Sequence, residues 1–353
     1  MISFNRGEWS ELYATLFLLL EPKLLIVDDK LNALTNEIFE LQQILVSTNK
    51  NLKYIIKGCK IIVYMDNKEY SELSNEEIKK AKESIIAAIK NNDQTNGAFQ
   101  IVELNDFLKK FSNDNVVKAK SFKKEDIIAI VKDNKIKNDV ELKYSIKSSL
   151  GSPATLLNSS QHTNFRYKVS NLKDKDIKDI NSLNGRTKLL DRIKEIEERE
   201  GIIEFDKVTS DSFEYNLKMI DENMPIYLAN TLLASYIRNT KDLKELFINS
   251  TLFDDKNFAI KKLSDLLSAI CFSFVPSVKW DGKQVVNGGF ILIEENGKVV
   301  VLDLIYYREC VIKYLLDNSK LDSPSSTRYH MLELYKDGKD IYFTLNLQIR
   351  YKK

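Results

Sequence analysis

Apolar residues recur along this chain with two periods and one unbroken run, and each change marks an element. Asn5 is a helix-capping residue type, and Trp9, Leu12, Tyr13, Leu16 and Leu20 follow at helical spacing, so a helix is expected from about Arg6. Residues 24–27 (Leu-Leu-Ile-Val) read as a short strand. Residues 37–47 and 53–65 are strand-like, although the first stretch also fits a helix. Ser74-Asn-Glu-Glu77 has the form of a capping box. It opens a helix with Ile78, Ala81, Ile85 and Ile89 on one face. A strand at 99–102 and a short helix at 106–111 complete the first third.

The middle of the chain is the most informative. Asp126-Ile-Ile-Ala-Ile-Val131 is almost continuously apolar, the pattern of a central strand buried on both faces. After the polar turn 132–139 the chain alternates. Val140, Leu142, Tyr144 and Ile146 point one way; Glu141, Lys143, Ser145 and Lys147 point the other. The two runs read as a hairpin centred near Ile136 and Lys137, which brings Asp126 and Lys147 together at its open end. A polar turn at 148–160 then leads into a short helix, and 165–169 is a strand. From about 185 to 270 the reading is mainly helical, with amphipathic runs at 186–200, 223–239 and 259–274. The end of the chain reads hairpin, helix, hairpin: 288–293 with 299–306, a helix through Leu316, then 332–335 with 341–351 around Asp337-Gly338.

Composition changes the picture mainly by exclusion. The 353 residues hold 53 Lys+Arg and 51 Asp+Glu, a net charge of +2, so bulk positive charge cannot be the source of any nucleic-acid affinity. A local basic surface still can be. Three separated cysteines and two histidines, His162 and His330, do not build a Cys- or His-rich metal site. They also point to a reducing, cytoplasmic setting. Residues 14–20 are apolar but too short to span a bilayer, and no targeting segment or membrane role is expected. There is no G-x-x-x-x-G-K-[ST] loop and no G-x-G-x-x-G turn, which disfavours nucleotide binding. The chemistry left to this chain rests on carboxylates and lysines.

The hairpin offers such a chemistry. Phosphodiester cleavage needs a divalent cation, an activated water and positive charge near the developing phosphorane. Asp126 at the start of one strand can ligate Mg²⁺, and Lys147 on the returning strand can polarise the water. The backbone carbonyl of Ile146 can complete the metal shell. This is the D…(E/D)-x-K pattern of PD-(D/E)XK nucleases, with Ser145 standing in the acid slot. The same residues also suit a solvated strand face.

The flanking words select between these readings. Gly7-Glu-Trp-Ser-Glu-Leu-Tyr13, Lys118-Ala-Lys-Ser121 with Asp126-Ile127, and Ser145-Ile-Lys-Ser-Ser-Leu-Gly-Ser-Pro-Ala-Thr-Leu-Leu-Asn158 resemble the HpaII-type restriction endonucleases. So do Gly288-Gly-Phe-Ile291, Pro324-Ser-Ser-Thr-Arg328 and Leu345-Asn-Leu-Gln-Ile-Arg350. The resemblance runs from end to end and is weakest over 170–275. It implies a type II restriction enzyme that cuts duplex DNA with Mg²⁺, at a CCGG-like site if the prototype's target carries over. The implied fold is α/β, a PD-(D/E)XK core of a mixed central sheet flanked by helices, with a helical insertion and a C-terminal β-rich part. By sequence these are 1–170, 171–275 and 276–353.

The resemblance also assigns roles. Asp126 is the metal-binding carboxylate and Lys147 the catalytic lysine. With Ser145 in the acid slot, the second carboxylate is expected on the first helix, from Glu11 or Glu8, Glu11 being preferred. Glu141 lies near the hairpin tip, six residues from Lys147. At ~3.3 Å per residue that is nearly 20 Å, too far to share a metal. DNA contacts are expected from Lys118 and Lys120, from Ser148, Ser149, Ser152, Asn158 and Gln161, and from Arg166, Arg328 and His330. Scarce loop arginines are the natural guanine readers. A palindromic target suits a homodimer, and a cognate DNA methyltransferase is expected in the same system. Two rivals stand beside this reading: a DNA-binding relative without catalysis, motivated by Ser145, and an unrelated α/β protein sharing the hairpin by chance.

Overall fold

The computed structural model describes residues 2–47, 51–91, 97–113, 124–151 and 153–352. Its contacts group the chain into two compact units, each discontinuous in sequence. Unit 1 is Met1–Ala154 with Gln284–Tyr314, and unit 2 is Thr155–Lys283 with Leu315–Lys352. One passage between them lies inside the helix Arg308–Asn318.

Unit 1 is built on a ten-stranded mixed sheet. In spatial order its strands are Ala33–Thr35, Ile26–Val27, Val299–Asp303, Gly289–Ile293, Asn138–Ser148, Ile127–Asp133, Phe39–Ser47, Asn51–Lys57, Lys60–Met65 and Lys68–Ser74. The stretch that fitted either strand or helix is thus the strand Phe39–Ser47. The Ile127–Asp133/Asn138–Ser148 hairpin lies in the middle of the sheet. Its second strand runs parallel to Gly289–Ile293, so two distant stretches of sequence meet there. Ile127–Asp133 is central but not buried on both faces: Ile127, Ala129 and Val131 are buried, while Ile128 and Ile130 are half-exposed.

The first helix, Arg6–Leu20, starts where the pattern placed it. Asn5 and Glu8 close its capping box, with Glu8 N donating to Asn5 Oδ1 at 3.0 Å and Asn5 N to Glu8 Oε2 at 2.8 Å. Trp9, Leu12, Tyr13, Leu16 and Leu19 are buried, and the helix packs on the strands Asn138–Ser148, Gly289–Ile293 and Val299–Asp303. Trp9 Nε1 donates to Phe99 O (3.2 Å) and Tyr13 Oη to Gly297 O (2.7 Å), which fixes the helix along and about its axis. The helix Asn75–Asn91 packs against it through Ile78, Ala81, Ile85 and Ile89.

Unit 2 holds a four-stranded antiparallel sheet in the order Ile202–Val208, Asn164–Ser170, Asp340–Asn346, Tyr335–Asp337. A three-stranded sheet orders Thr155–Leu157, Ile349–Tyr351, Ser319–Leu321. The helices Asp174–Ser182, Lys188–Glu198, Asp211–Ile220, Met224–Ile237, Leu243–Ile248 and Lys256–Phe272 belong to the same unit. Tyr167 stacks on Phe343 (centroids 5.1 Å apart), and its hydroxyl donates to Ala229 O at 2.7 Å, tying sheet to helix.

Four local expectations change. Within the expected turn, Thr155–Leu157 is a strand, since its backbone groups pair with Ile349–Tyr351, and the short helix that follows is the single 3₁₀ turn Gln161–Thr163. Ile202–Val208 interrupts the helical middle as a strand alternating against Asn164–Ser170. The strand at 99–102 shrinks to Ala98–Phe99, followed by a 3₁₀ turn at Val102–Leu104. The last hairpin pairs Tyr335–Asp337 with Asp340–Asn346, because 329–334 are drawn into turns and a bridge to Thr344.

One residue fixes the junction of the central strands. Gly289 has φ +110° and faces Asp303 across one ladder and Tyr144 across the other. A Cβ there would lie 2.1 Å from Leu302 O. Gly289→Ala therefore combines backbone strain with a backbone clash, and a loss of about 3 kcal/mol or more is expected in urea unfolding. Stability within ~0.5 kcal/mol of the parent would contradict this geometry.

Candidate active site

The site begins where a strand ends. The backbone ladder between the hairpin strands closes at the Tyr144–Ile127 pair, followed by Asp126 N donating to Tyr144 O at 2.9 Å. Ile146 lies past the last rung, and its N–H still needs an acceptor. Asp126 provides it with a side-chain oxygen: Ile146 N donates to Asp126 Oδ2 at 2.6 Å. Ser145 Oγ donates to the same oxygen at 3.1 Å. In an antiparallel strand the N–H and C=O of one residue face the same side, so the Ile146 carbonyl shares this edge with the Asp126 carboxylate.

Lys147 Nζ lies 2.8 Å from Ser145 Oγ, and this hydroxyl links the lysine to Asp126. The register differs from expectation by two residues. The turn is the tight stretch 134–137, with Lys137 at φ +59° and Asp133 Oδ1 accepting from Lys135 N (2.8 Å) and Ile136 N (3.3 Å). Asp126 therefore stands opposite Ser145 rather than Lys147. The long lysine side chain reaches back to restore the proximity.

The third member comes from the first helix. Glu11 is half-buried, and its carboxyl is raised from its ordinary 4.5 to about 8. Burial is the largest cause. The negative charge of Asp126 adds to it, Lys147 opposes it, and Glu8 contributes a smaller rise. These interactions place Glu11 at the same locus as Asp126 and Lys147. Glu8, the other helix candidate, spends its carboxylate on the Asn5 N–H of the capping box. Among the described residues no cluster of three or more His, Cys, Asp and Glu side chains is arranged to hold a metal. That excludes an all-protein cage there. It leaves room for Mg²⁺, which keeps several waters and needs only one or two carboxylates. The Asp126 carboxylate, the Ile146 carbonyl and the Glu11 carboxyl that feels the Asp126 charge are all hard oxygen donors, which suits that ion.

The expected DNA contacts divide. Lys118, Lys120 and Ser152 lie outside the described residues. Ser148 and Ser149 follow Lys147 directly; Ser148 Oγ accepts from Leu150 N at 3.1 Å, and Ser149 N donates to Ile293 O at 2.8 Å. Arg6, which the pattern did not single out, packs on the bare face of Gly151. A Cβ there would lie 2.3 Å from Arg6 Nη1, and Gly151 has φ +104°. No motif contains this arginine. Only its place at the start of the helix that carries Glu11 could have drawn attention to it.

In unit 2, Asn158 and Gln161 are exposed. His162 Nδ1 lies 3.2 Å from Ser210 Oγ, a contact within the fold. Arg166 is engaged within the fold: its guanidinium pairs with Asp206 (2.5 Å) and Asp337 (3.0 Å) and lies over the Tyr342 ring. Arg328 has no ion pair among the described residues and lies 5.4 Å from the Tyr329 ring centroid. His330 Nδ1 lies 2.7 Å from Glu333 Oε2.

The loop bearing Arg328 and His330 is held in a demanding conformation, with His330 at φ +48° and Leu332 at φ +54°. Buried Arg192 donates to Leu332 O (3.1 Å), Asn181 O (2.8 Å) and Leu183 O (3.1 Å). Asn181 in turn exchanges two 2.8 Å hydrogen bonds with the Leu334 backbone. The loop is thus rigid by construction.

A mixed α/β unit with a carboxylate and a lysine around one hydroxyl, a second carboxyl coupled to both, and both histidines in the other unit, has the means of a hydrolase that works through charge and water. The comparisons with known proteins agree and are more specific. The family model of the HpaII restriction endonuclease matches residues 5–351. The Type II restriction enzyme HpaII of Haemophilus parainfluenzae is 36% identical over 359 residues, covering 99% of this chain and 98% of that protein. No solved structure matches the chain. The chain belongs to the HpaII restriction endonuclease family: it is a type II restriction endonuclease, a hydrolase that cleaves double-stranded DNA at a specific sequence.

The raised Glu11 has a consequence for stability. In the unfolded chain it ionises near 4.5, and in the metal-free fold near 8. Between these values the folded state holds a proton that the unfolded state has released, so stability falls as pH rises through the window. Urea unfolding at pH 5 and pH 9 is expected to show a larger loss in the metal-free parent than in Glu11→Gln. Equal losses would remove Glu11 from this electrostatic locus.

Proposed function

We propose that the cut is made in unit 1 by Asp126, Glu11, Ser145, Ile146 and Lys147, on a PD-(D/E)XK core whose second acid has moved from the hairpin to the first helix. The observation that carries this reading is the raised Glu11 carboxyl, which feels the charges of Asp126 and Lys147. Two facing carboxylates are unfavourable together in the protein alone and become favourable around a divalent cation. Asp126 and Glu11, with the Ile146 carbonyl, would hold Mg²⁺. When bound, that ion supplies the Lewis acidity and the lowered water pKa that phosphodiester hydrolysis requires.

The chain's own groups do the rest. The Ile146 N–H and Ser145 hydroxyl fix one oxygen of Asp126, and among the described residues none donates to the other. Lys147, on the far side of Ser145, supplies positive charge and donors for a water or for the phosphate oxygens. Ser145 is then a linker between lysine and aspartate, and the missing acid in its slot is no sign of lost catalysis. Glu8 acts on Glu11 through the helix cap and not as a ligand.

Base reading falls to Arg328 and His330 on the rigid loop of unit 2, with Asn158 and Gln161. Ser148, Ser149, Lys118, Lys120 and Ser152 contact the backbone near the cut. By sequence the catalytic core falls in 1–170, 171–275 is mainly helical, and 276–353 is the β-rich part that carries the DNA-contacting loop of Arg328 and His330. The target is CCGG-like, the working form a homodimer acting on a palindrome, and a methyltransferase in the same system protects the host site. The three cysteines are free, and among the described residues no helix is long and apolar enough to cross a membrane; both features agree with a cytoplasmic enzyme.

The test is digestion of unmethylated plasmid with Mg²⁺, followed by sequencing of the cut ends. The parent yields discrete fragments sharing one short palindrome. Asp126→Ala and Lys147→Ala each lose about 10²-fold or more in rate. Glu11→Gln falls with them; cutting within a few-fold of the parent would overturn its assignment as the second carboxylate.

A further inference from the structure

Unit 2 contains a cavity of about 390 Å³ whose chemistry no part of the cleavage reaction uses. It lies among the 185–190 stretch, the end of the helix Met224–Ile237 and the 321–326 segment. Arg186, Lys188 and Lys241 line it, and Asp322 is the one acid among its lining residues. Asp322 is already neutralised. Arg350 Nε lies 2.9 Å from its Oδ2 and Lys241 Nζ 3.4 Å from its Oδ1, which also accepts from Ser323 N at 2.9 Å. Arg186 and Lys188 have no such partner: among the described residues neither makes an ion pair or a side-chain hydrogen bond. The Ser326 hydroxyl, also in the lining, makes no side-chain hydrogen bond there.

An arginine, a lysine and a serine line one concave surface whose single acid is already paired. Such a surface repels cations and attracts one kind of ligand, a compact anion with several acceptor oxygens. The volume exceeds what a phosphate group needs and suits a phosphodiester with its flanking sugars. The substrate of this enzyme is a polymer of that group. The opposite wall, 321–326, runs directly into the loop that carries Arg328.

We propose that this cavity binds a backbone phosphodiester of the DNA, held by Arg186 and Lys188 with Ser326, and that it anchors the duplex without reading its sequence. The proposal depends on DNA being the substrate and is independent of the roles given to Asp126, Glu11 and Lys147. A phosphate contact adds affinity to every sequence equally and carries its own share of the salt dependence.

The experiment measures binding of the full-length protein to a cognate and an unrelated duplex by fluorescence anisotropy, from 50 to 300 mM KCl, with Ca²⁺ in place of Mg²⁺. In Arg186→Ala/Lys188→Ala both duplexes are expected to weaken by the same factor, roughly ten-fold. The slope of log K against log salt should become shallower by about 1–2, with the ratio between the duplexes preserved. Unchanged affinity and slope would overturn the proposal. So would a loss confined to the cognate duplex, which would make these residues base readers. Inorganic phosphate provides the other arm: if 10 mM phosphate raises the melting temperature of the parent and not of the variant while DNA binding is unchanged, the cavity takes free phosphate and the proposal fails. Should the double variant melt lower than the parent, Ser326→Asp introduces a repelling charge at the same wall. It must weaken both duplexes alike, and unaltered binding would be equally contrary.

Discussion

The site of this enzyme depends on one hydrogen bond, from the Ile146 N–H to the Asp126 carboxylate at 2.6 Å. A strand stops one residue short, and a side-chain oxygen takes the place of the missing backbone acceptor. The substitution satisfies a buried donor and so anchors the aspartate without a dedicated scaffold. It also leaves a carbonyl, a carboxylate and a lysine on the same open edge. The arrangement needs the hairpin strands in their observed register, and that register is held by the four-residue turn at 134–137 and by the parallel strand Gly289–Ile293 on the other side. The distant Gly289, with its left-handed backbone, is thus part of the reason Asp126 stands where it does.

The second carboxylate shows how electrostatics and packing are combined. The first helix is fixed by Trp9, Tyr13 and its Asn5–Glu8 cap, which decides which of its acids faces the sheet. Glu8 is consumed in closing the helix end. Glu11, three residues on, is carried against Asp126 and keeps its proton to about 8. Near neutral pH that proton spares the site a second negative charge beside Asp126.

Much of this was legible in the amino-acid order. The 3.6 period of Trp9, Leu12, Tyr13 and Leu16 marked the first helix, and the period of two across 140–147 marked the returning strand. Asp126 and Lys147 were expected to lie close, and both contact the Ser145 hydroxyl; the preference for Glu11 came from the family resemblance. The register was off by two because a turn centre is read from polarity, whereas Lys137 and the Asp133 side chain set it by conformation. Thr155–Leu157 was read as turn and Ile202–Val208 as helical because their strand character comes from partners far along the chain, at Ile349–Tyr351 and Asn164–Ser170. The engagement of Arg166 by Asp206 and Asp337 was invisible for the same reason: nothing local pairs residues 40 and 171 positions apart. Tertiary pairing also makes both compact units discontinuous.

In the metal-loaded enzyme, Glu11, Asp126 and the Ile146 carbonyl would share one cation. The most direct measurement is anomalous diffraction from crystals soaked in Mn²⁺ as a stand-in for Mg²⁺. Shared ligation predicts an anomalous peak within metal–oxygen distance, about 2.0–2.2 Å, of one oxygen from each of the three. A peak bound elsewhere, or one that Asp126 ligates while Glu11 turns away, would contradict it.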